Sequence, residues 1–269
     1  MPARSLDGRW FGAFEIPPGA RGRWEIGALA MCVERAVGEW RIWHSHAPVD
    51  PGLPDRALFA PDLGPTPEQA LQRYVVDDLH PELRLTPLLP DRSVVARPVS
   101  PLFVPAGESA RLYVGIPLWL RLEVGSRAPY QTLLELPTVR LSDTWFGLTP
   151  MVGELCYALK TRCRLALDPA QQLPYRATVP LVIRNRFREP LALERVNVPV
   201  RQLSLYAAPG GALWANELTL ERDEEGSLAA LRFGPAAPVE AAGAEEVARP
   251  RDPTSRRAAI RSFSALFQS

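Results

Sequence analysis

Lysine is almost missing from this chain: Lys160 is the only one, and every other basic side chain is arginine. A Schiff-base nucleophile is thereby excluded everywhere but at Lys160, and no phosphate-binding loop with its lysine is present. Histidine is scarce too, so a mechanism needing an imidazole base must choose among His44, His46 and His80. The cysteines are Cys32, Cys156 and Cys163, an odd number at spacings that match no zinc pattern and build no disulfide framework. The longest strongly apolar run, Leu112 to Leu120, is far short of the ~20 residues of a membrane-spanning helix. Residues 1–10 hold no apolar segment of the secretory kind. A cytoplasmic protein without a membrane span is expected.

Charge of one sign is also lacking. The formal net charge is +1, which argues against nucleic acid as the main partner, because phosphate binding draws on a basic excess that releases counterions. The catalytic signatures Gly-x-Gly-x-x-Gly, Gly-x-Ser-x-Gly and His-Glu-x-x-His do not occur, so no cofactor and no catalytic residues are implied. Ser109, in Gly107-Glu108-Ser109, lacks the second glycine of a nucleophile elbow and reads as a turn residue.

Strand periodicity is what the chain has in abundance. From Leu112 the even positions Leu112, Val114, Ile116, Leu118, Leu120, Leu122 and Val124 are apolar, opposite Arg121 and Glu123. From Leu155 the odd positions Leu155, Tyr157 and Leu159, then Cys163, Leu165 and Leu167, oppose Glu154, Lys160, Arg162 and Arg164. Alternation of this length predicts strands with one face on a core. Shorter runs follow near Val179–Ile183, Leu191–Val200, Leu203–Leu205, Leu218–Leu220 and Leu231–Phe233, with a change of phase at Glu194-Arg195 that suggests a bulge. Prolines in or beside these runs, such as Pro117, Pro180 and Pro199, favour edges, strand starts and bulges.

Two helices are predicted. Thr66-Pro67-Glu68-Gln69 has the form of a capping box with proline at the first helical position, giving a helical insertion near 66–79. A second helix near 254–267 would place Ile260, Phe263, Leu266 and Phe267 on one apolar stripe, with Arg256, Arg257 and Arg261 on a basic face. That stripe must pack on its own domain, on a second copy or on a protein partner, so self-association through this helix is one reading.

The predicted fold class is all-β and sandwich-like, with two short helices. The chain divides into a half at 1–137 carrying the insertion and a half at 138–269 carrying the terminal helix. Trp10-Phe11-Gly12 recurs as Trp145-Phe146-Gly147, so the halves are either a duplication or a chance likeness among leucine- and proline-rich strands. The Trp-Phe-Gly segments, the proline-bounded strands from Pro101 to Val124, Leu141–Gly147 and Arg257–Phe263 resemble an uncharacterised β-rich domain-of-unknown-function family of bacteria and archaea. The resemblance spans nearly the whole chain and implies no activity and no site residues.

Candidate chemistry is sparse. His44 and His46, two apart on a strand, share a face and could reach one metal ion, with Glu39 or Asp50 as a third ligand. The plain alternative is a polar strand end. Asp77, Asp78, His80 and Glu82 cluster where the first helix would end, and Asp143 precedes the second Trp-Phe-Gly. Seven tryptophans invite a ligand-stacking role, although core packing is the ordinary one. A non-enzymatic binding or assembly module is therefore expected, ahead of a small-molecule or carbohydrate binder and of a metal-dependent enzyme using His44 and His46.

Overall fold

The computed structural model describes residues 2–5, 7–48, 56–76, 82–125, 127–149, 151–167, 172–226, 228–253, 259–262 and 267–268. Among them the chain is all-β, and it divides into two compact units. Unit 1 comprises residues 1–88 and 117–140, and unit 2 comprises residues 89–116 and 141–269. The last change of unit falls between Arg140 and Leu141, and residues 89–116 cluster with the later part of the chain.

Unit 1 consists of two five-stranded antiparallel sheets. One is built from β1 (Arg4–Ser5), β2 (Gly12–Glu15), β8 (Glu82–Leu88), β12 (Trp119–Val124) and β13 (Gln131–Pro137), in that order. The other runs β6 (Ala57–Pro61), β3 (Arg21–Ile26), β4 (Leu29–Ala36), β5 (Glu39–His46) and β7 (Ala70–Val75). Their inner faces meet through aromatics. Phe14 on β2 packs edge-on at 5.0 Å against Trp24 on β3, and at 4.9 Å against Phe59 on β6. Gly22 makes room for this cluster, since a Cβ there would lie 2.8 Å from both Phe59 and Trp24.

Unit 2 has a five-stranded sheet of β14 (Ser142–Thr149), β15 (Val152–Cys163), β9 (Val94–Pro98), β18 (Arg195–Val198) and β25 (Phe267–Gln268). Its eight-stranded sheet is ordered β23 (Glu245–Ala248), β19 (Leu205–Ala207), β20 (Leu213–Ala215), β16 (Arg176–Asn185), β21 (Leu218–Arg222), β22 (Leu228–Phe233) and β24 (Ala259–Ser262), with β11 (Ser109–Pro117) also paired to β16. A two-stranded ribbon joins β10 (Leu102–Val104) to β17 (Leu191–Leu193). Parallel pairs, β9 with β15 and β16 with β20 and β21, are confined to this unit among the described residues.

The even-position run from Leu112 to Val124 is buried throughout, as its period demands, and it serves two cores. Leu112, Val114 and Ile116 belong to unit 2, while Leu118, Leu120, Leu122 and Val124 belong to unit 1. Pro180 lies inside central strand β16, contrary to the expectation for proline. It falls where the partner changes from β20, at Ala177 and Thr178, to β21, from Leu181 onward, so the missing N–H costs no ladder bond. The phase change at Glu194-Arg195 is a change of sheet: β17 pairs with β10 and β18 with β9.

Neither predicted helix forms. Thr66 and Gln69 do exchange the bonds of a capping turn, Gln69 N–H to Thr66 O at 3.1 Å and Thr66 N–H to Gln69 Oε1 at 2.9 Å. The chain then leaves as β7, because the open edge of β5 offers a ladder running from Glu39↔Val75 to His44↔Ala70. Gln69 ties the turn down through Ala30 O at 3.0 Å. Tertiary pairing thus overrides a good local start signal. At the carboxy terminus, Ala259–Ser262 pairs with β22 and Phe267–Gln268 with β18, so the tail adds the last strand to both larger sheets of unit 2. Phe267 is buried, Ile260 is opposite Ala230, and Phe263 and Leu266 lie outside the described residues. Short 3-10 turns occur at Val200–Gln202 and Val239–Ala241. No helix among those residues is long and apolar enough to cross a membrane.

Candidate functional site

His44 and His46 end β5 on the same side as the buried Trp40 and Ile42, which is the inner face of its sheet. Their ring centroids are 6.3 Å apart. The His46 Nε2 hydrogen-bonds Pro137 O at 2.7 Å, and because a carbonyl only accepts, Nε2 carries the proton. The His44 Nε2 faces Gln72 Nε2 at 3.3 Å, while Gln72 Oε1 accepts the Tyr74 hydroxyl at 2.5 Å. The amide therefore donates to His44 Nε2 and leaves the proton on Nδ1. The two buried Nδ1 atoms have no hydrogen-bond partner among the described residues and differ in role, a donor on His44 and an acceptor on His46. Burial lowers both pKa values, and the positive charge of Arg140 lowers them further.

Glu39, a sequence candidate for a third ligand, is on the opposite face of β5 and accepts from Arg41 at 2.6 Å and Arg73 at 2.8 Å. Asp50, Asp77, Asp78 and His80 lie outside the described residues. Glu82 begins β8 and accepts the Tyr130 hydroxyl at 3.4 Å, and Asp143 pairs with Arg92 at 3.1 Å. Among the described residues no group of three or more His, Cys, Asp or Glu is placed to hold a metal ion. The thiols are free and buried, with burial raising Cys32 to about 11 and Cys163 to about 12.

Five tryptophans, Trp10, Trp24, Trp40, Trp119 and Trp214, are buried, as core packing requires. Trp145 is different: it is 43% exposed and sits opposite Leu155, itself 46% exposed, on the β14–β15 hairpin. The same hairpin carries Met151 at 92% and Val152 at 63% exposure. The indole N–H donates to Thr149 O at 3.0 Å, which fixes the ring along the hairpin. A Cβ at Gly153 would lie 2.8 Å from Trp145 Nε1, and one at Gly147 only 2.1 Å from Val152 O. The neighbouring Phe146 turns inward to pack with Val95 and Cys156. In Trp10-Phe11-Gly12 the two aromatics are both buried, edge to face at 5.0 Å, and Gly12 adopts φ +105° beneath Asp7. One tripeptide thus serves two different local purposes.

The odd positions of β15 do not all point inward. Cys156 is buried and Leu155 is not, the reverse of the phase read from the leucines. Between Ala158↔Val95 and Arg162↔Arg97, β15 advances four residues while β9 advances two, so β15 bulges. Beyond the bulge the chain turns to β11, where Tyr113 and Arg164 exchange backbone bonds of 2.8 and 3.1 Å. A pocket at this corner, lined by Tyr113, Gly115, Thr161, Arg162, Arg164 and Thr178, has about 30 Å³ of free volume, room for a water or two.

The hairpin patch was missed by sequence reasoning, although Met151-Val152, apolar residues at a strand start, was a signal that could have found it. The arginines at the bulge left no local signal, because their proximity depends on the register of separate strands. The described residues form an all-β protein of two units. The chain belongs to the family described as Protein of unknown function (DUF432), whose model matches residues 10–268. No curated protein and no solved structure matches it.

Proposed function

We propose that this protein is a binding and assembly module that docks through the β14–β15 hairpin, with the cytoplasm as its setting. The observation that carries the reading is the exposed, immobilised Trp145–Leu155 pair, continued by Met151 and Val152. Aromatic and Met side chains are enriched in protein interfaces, and a ring already held by a hydrogen bond loses little entropy on docking. Strand β14 is also the edge of its sheet, and its sequence from Ser142 to Thr149 has none of the lysine or proline that blunts open edges. A second copy supplies a self-complementary partner for such an edge. The three buried thiols fit a reducing compartment.

The test is the mass of the full chain in solution by light scattering, for the wild type and for Val152→Asp/Leu155→Asp. A wild-type dimer that becomes a monomer with an unchanged melting temperature is expected. A wild type that stays monomeric at tens of micromolar removes self-assembly as the role of the hairpin. Small-molecule or carbohydrate binding is the second reading, and the outward face of Trp145 is what favours it.

A further inference from the structure

Three arginines stand in a row across neighbouring strands of the five-stranded sheet of unit 2. Arg162 on β15 is the register partner of Arg97 on β9. On the other side of β9, Val196 of β18 pairs antiparallel with Ala96, so Arg195 falls beside Arg97. The side they occupy follows from alternation. Val94 and Ala96 are buried on one face, so Arg97 shares the other with Val95, which packs on Phe146. The Arg195 guanidinium lies over the same Phe146 ring at 5.4 Å from its centroid.

Like charges placed directly opposite in a sheet repel, as Arg97 and Arg162 are, while Arg195 donates to the Trp145 carbonyl at 3.3 Å. No carboxylate among the described residues forms an ion pair with Arg97 or Arg162, and the guanidinium of Arg162 reaches only a backbone carbonyl, Val99 O, at 2.8 Å. On that face the carboxylate of Glu154 is occupied by Asn197. Arg195 responds to its position, its pKa being lowered first by burial and then by the charge of Arg97. Arg97 and Arg162 are exposed, and the bulge in β15 is the local device that brings Arg162 into line.

We propose that the Arg162–Arg97–Arg195 row is a binding site for a compact oligophosphate anion. Strand spacing sets the three Cα positions across about 10 Å, a span that matches two or three linked phosphates. A guanidinium fork meets phosphate oxygens with two parallel hydrogen bonds, and arginines on three adjacent strands favour a chain of anionic groups over a single ion. Bound anion also removes the repulsion between neighbouring arginines, so ligand binding and stability are coupled.

The experiment uses the full chain and sodium tripolyphosphate, with titration calorimetry and thermal melting at low salt. Wild type is expected to bind and to melt higher with the anion. Arg97→Gln and Arg162→Gln are each expected to weaken binding about tenfold or more, the scale of a charge-assisted hydrogen-bond pair. Arg97→Gln should also melt higher than wild type in the absence of anion and gain less from its addition. Arg127→Gln in unit 1 is the control and should bind as wild type does. The proposal is overturned by a wild type that shows no heat or melting shift at millimolar tripolyphosphate, by row variants that bind unchanged, or by equal loss in Arg127→Gln. Citrate binding as tightly as tripolyphosphate would remove the phosphate assignment.

Discussion

Phe14 and Trp24 stand edge to face, 5.0 Å apart and 80° between planes, and this contact is one of those that join the two sheets of unit 1. Both rings are fully buried, with Phe59 against each of them. Phe14→Ala removes the ring from the middle of that cluster and leaves a cavity, which costs about 3–5 kcal/mol. Phe14→Leu keeps most of the volume and is expected to cost much less. Urea unfolding followed by tryptophan fluorescence checks both, and equal stability of the two variants would contradict the central place given to this ring.

His44 and His46 give unit 1 a pH dependence whose sign can be worked out. Burial lowers both folded pKa values below the ordinary 6.5, so in the window under 6.5 the unfolded chain takes up protons that the folded chain refuses. Stability attributable to this pair is therefore complete above 6.5 and falls as pH drops toward the folded pKa values. His44→Gln/His46→Gln should flatten the melting-temperature profile between pH 7 and 5. The same two proteins assayed for zinc, iron, nickel and manganese test the enzyme reading: one ion per chain in wild type and none in the double variant would establish a metal site.

The carboxy-terminal segment is expected to act within its own chain, because it completes the edges of β22 and β18. Phe267→Ala should lower stability by about 3–5 kcal/mol, as for other fully buried phenylalanines, with no change of mass in light scattering. Truncation before Ala259 should have a larger effect of the same kind. A stable monomer obtained from a wild-type oligomer by that truncation would return the tail to the role of an assembly element.

Period-two patterning was most legible where a long run buries one face. The run from Leu112 to Val124 could be read residue by residue, and each of its even positions is buried. Patterning says which residues alternate and not which partner they meet, so the division of that run between two units was invisible. In β15 the leucines misled about the phase, since Leu155 is exposed and Cys156 is inside. A hairpin that protrudes from a sheet can carry apolar residues outward, and no local rule distinguishes that face from a core face.

Of the surfaces proposed for binding, Trp145 was visible as a residue and not as a site. Its setting depends on Gly147 and Gly153 meeting across the hairpin and on a bond to Thr149 O. The pair His44 and His46 was placed correctly on one face, but the partners that set their tautomers, Pro137 and Gln72, come from strands distant in the chain. The arginine row draws on positions 97, 162 and 195, which only strand register brings together.

By itself, the sequence determined that this protein is built of strands: alternation of apolar and polar residues is a local property, and it fixes which segments can lie half-buried in a sheet. Tertiary structure alone decided the fate of Ala70–Val75, Ala259–Ser262 and Phe267–Gln268. These segments read as helix by local signals, and they became strands because an open sheet edge offers hydrogen-bond partners that a short isolated helix cannot match.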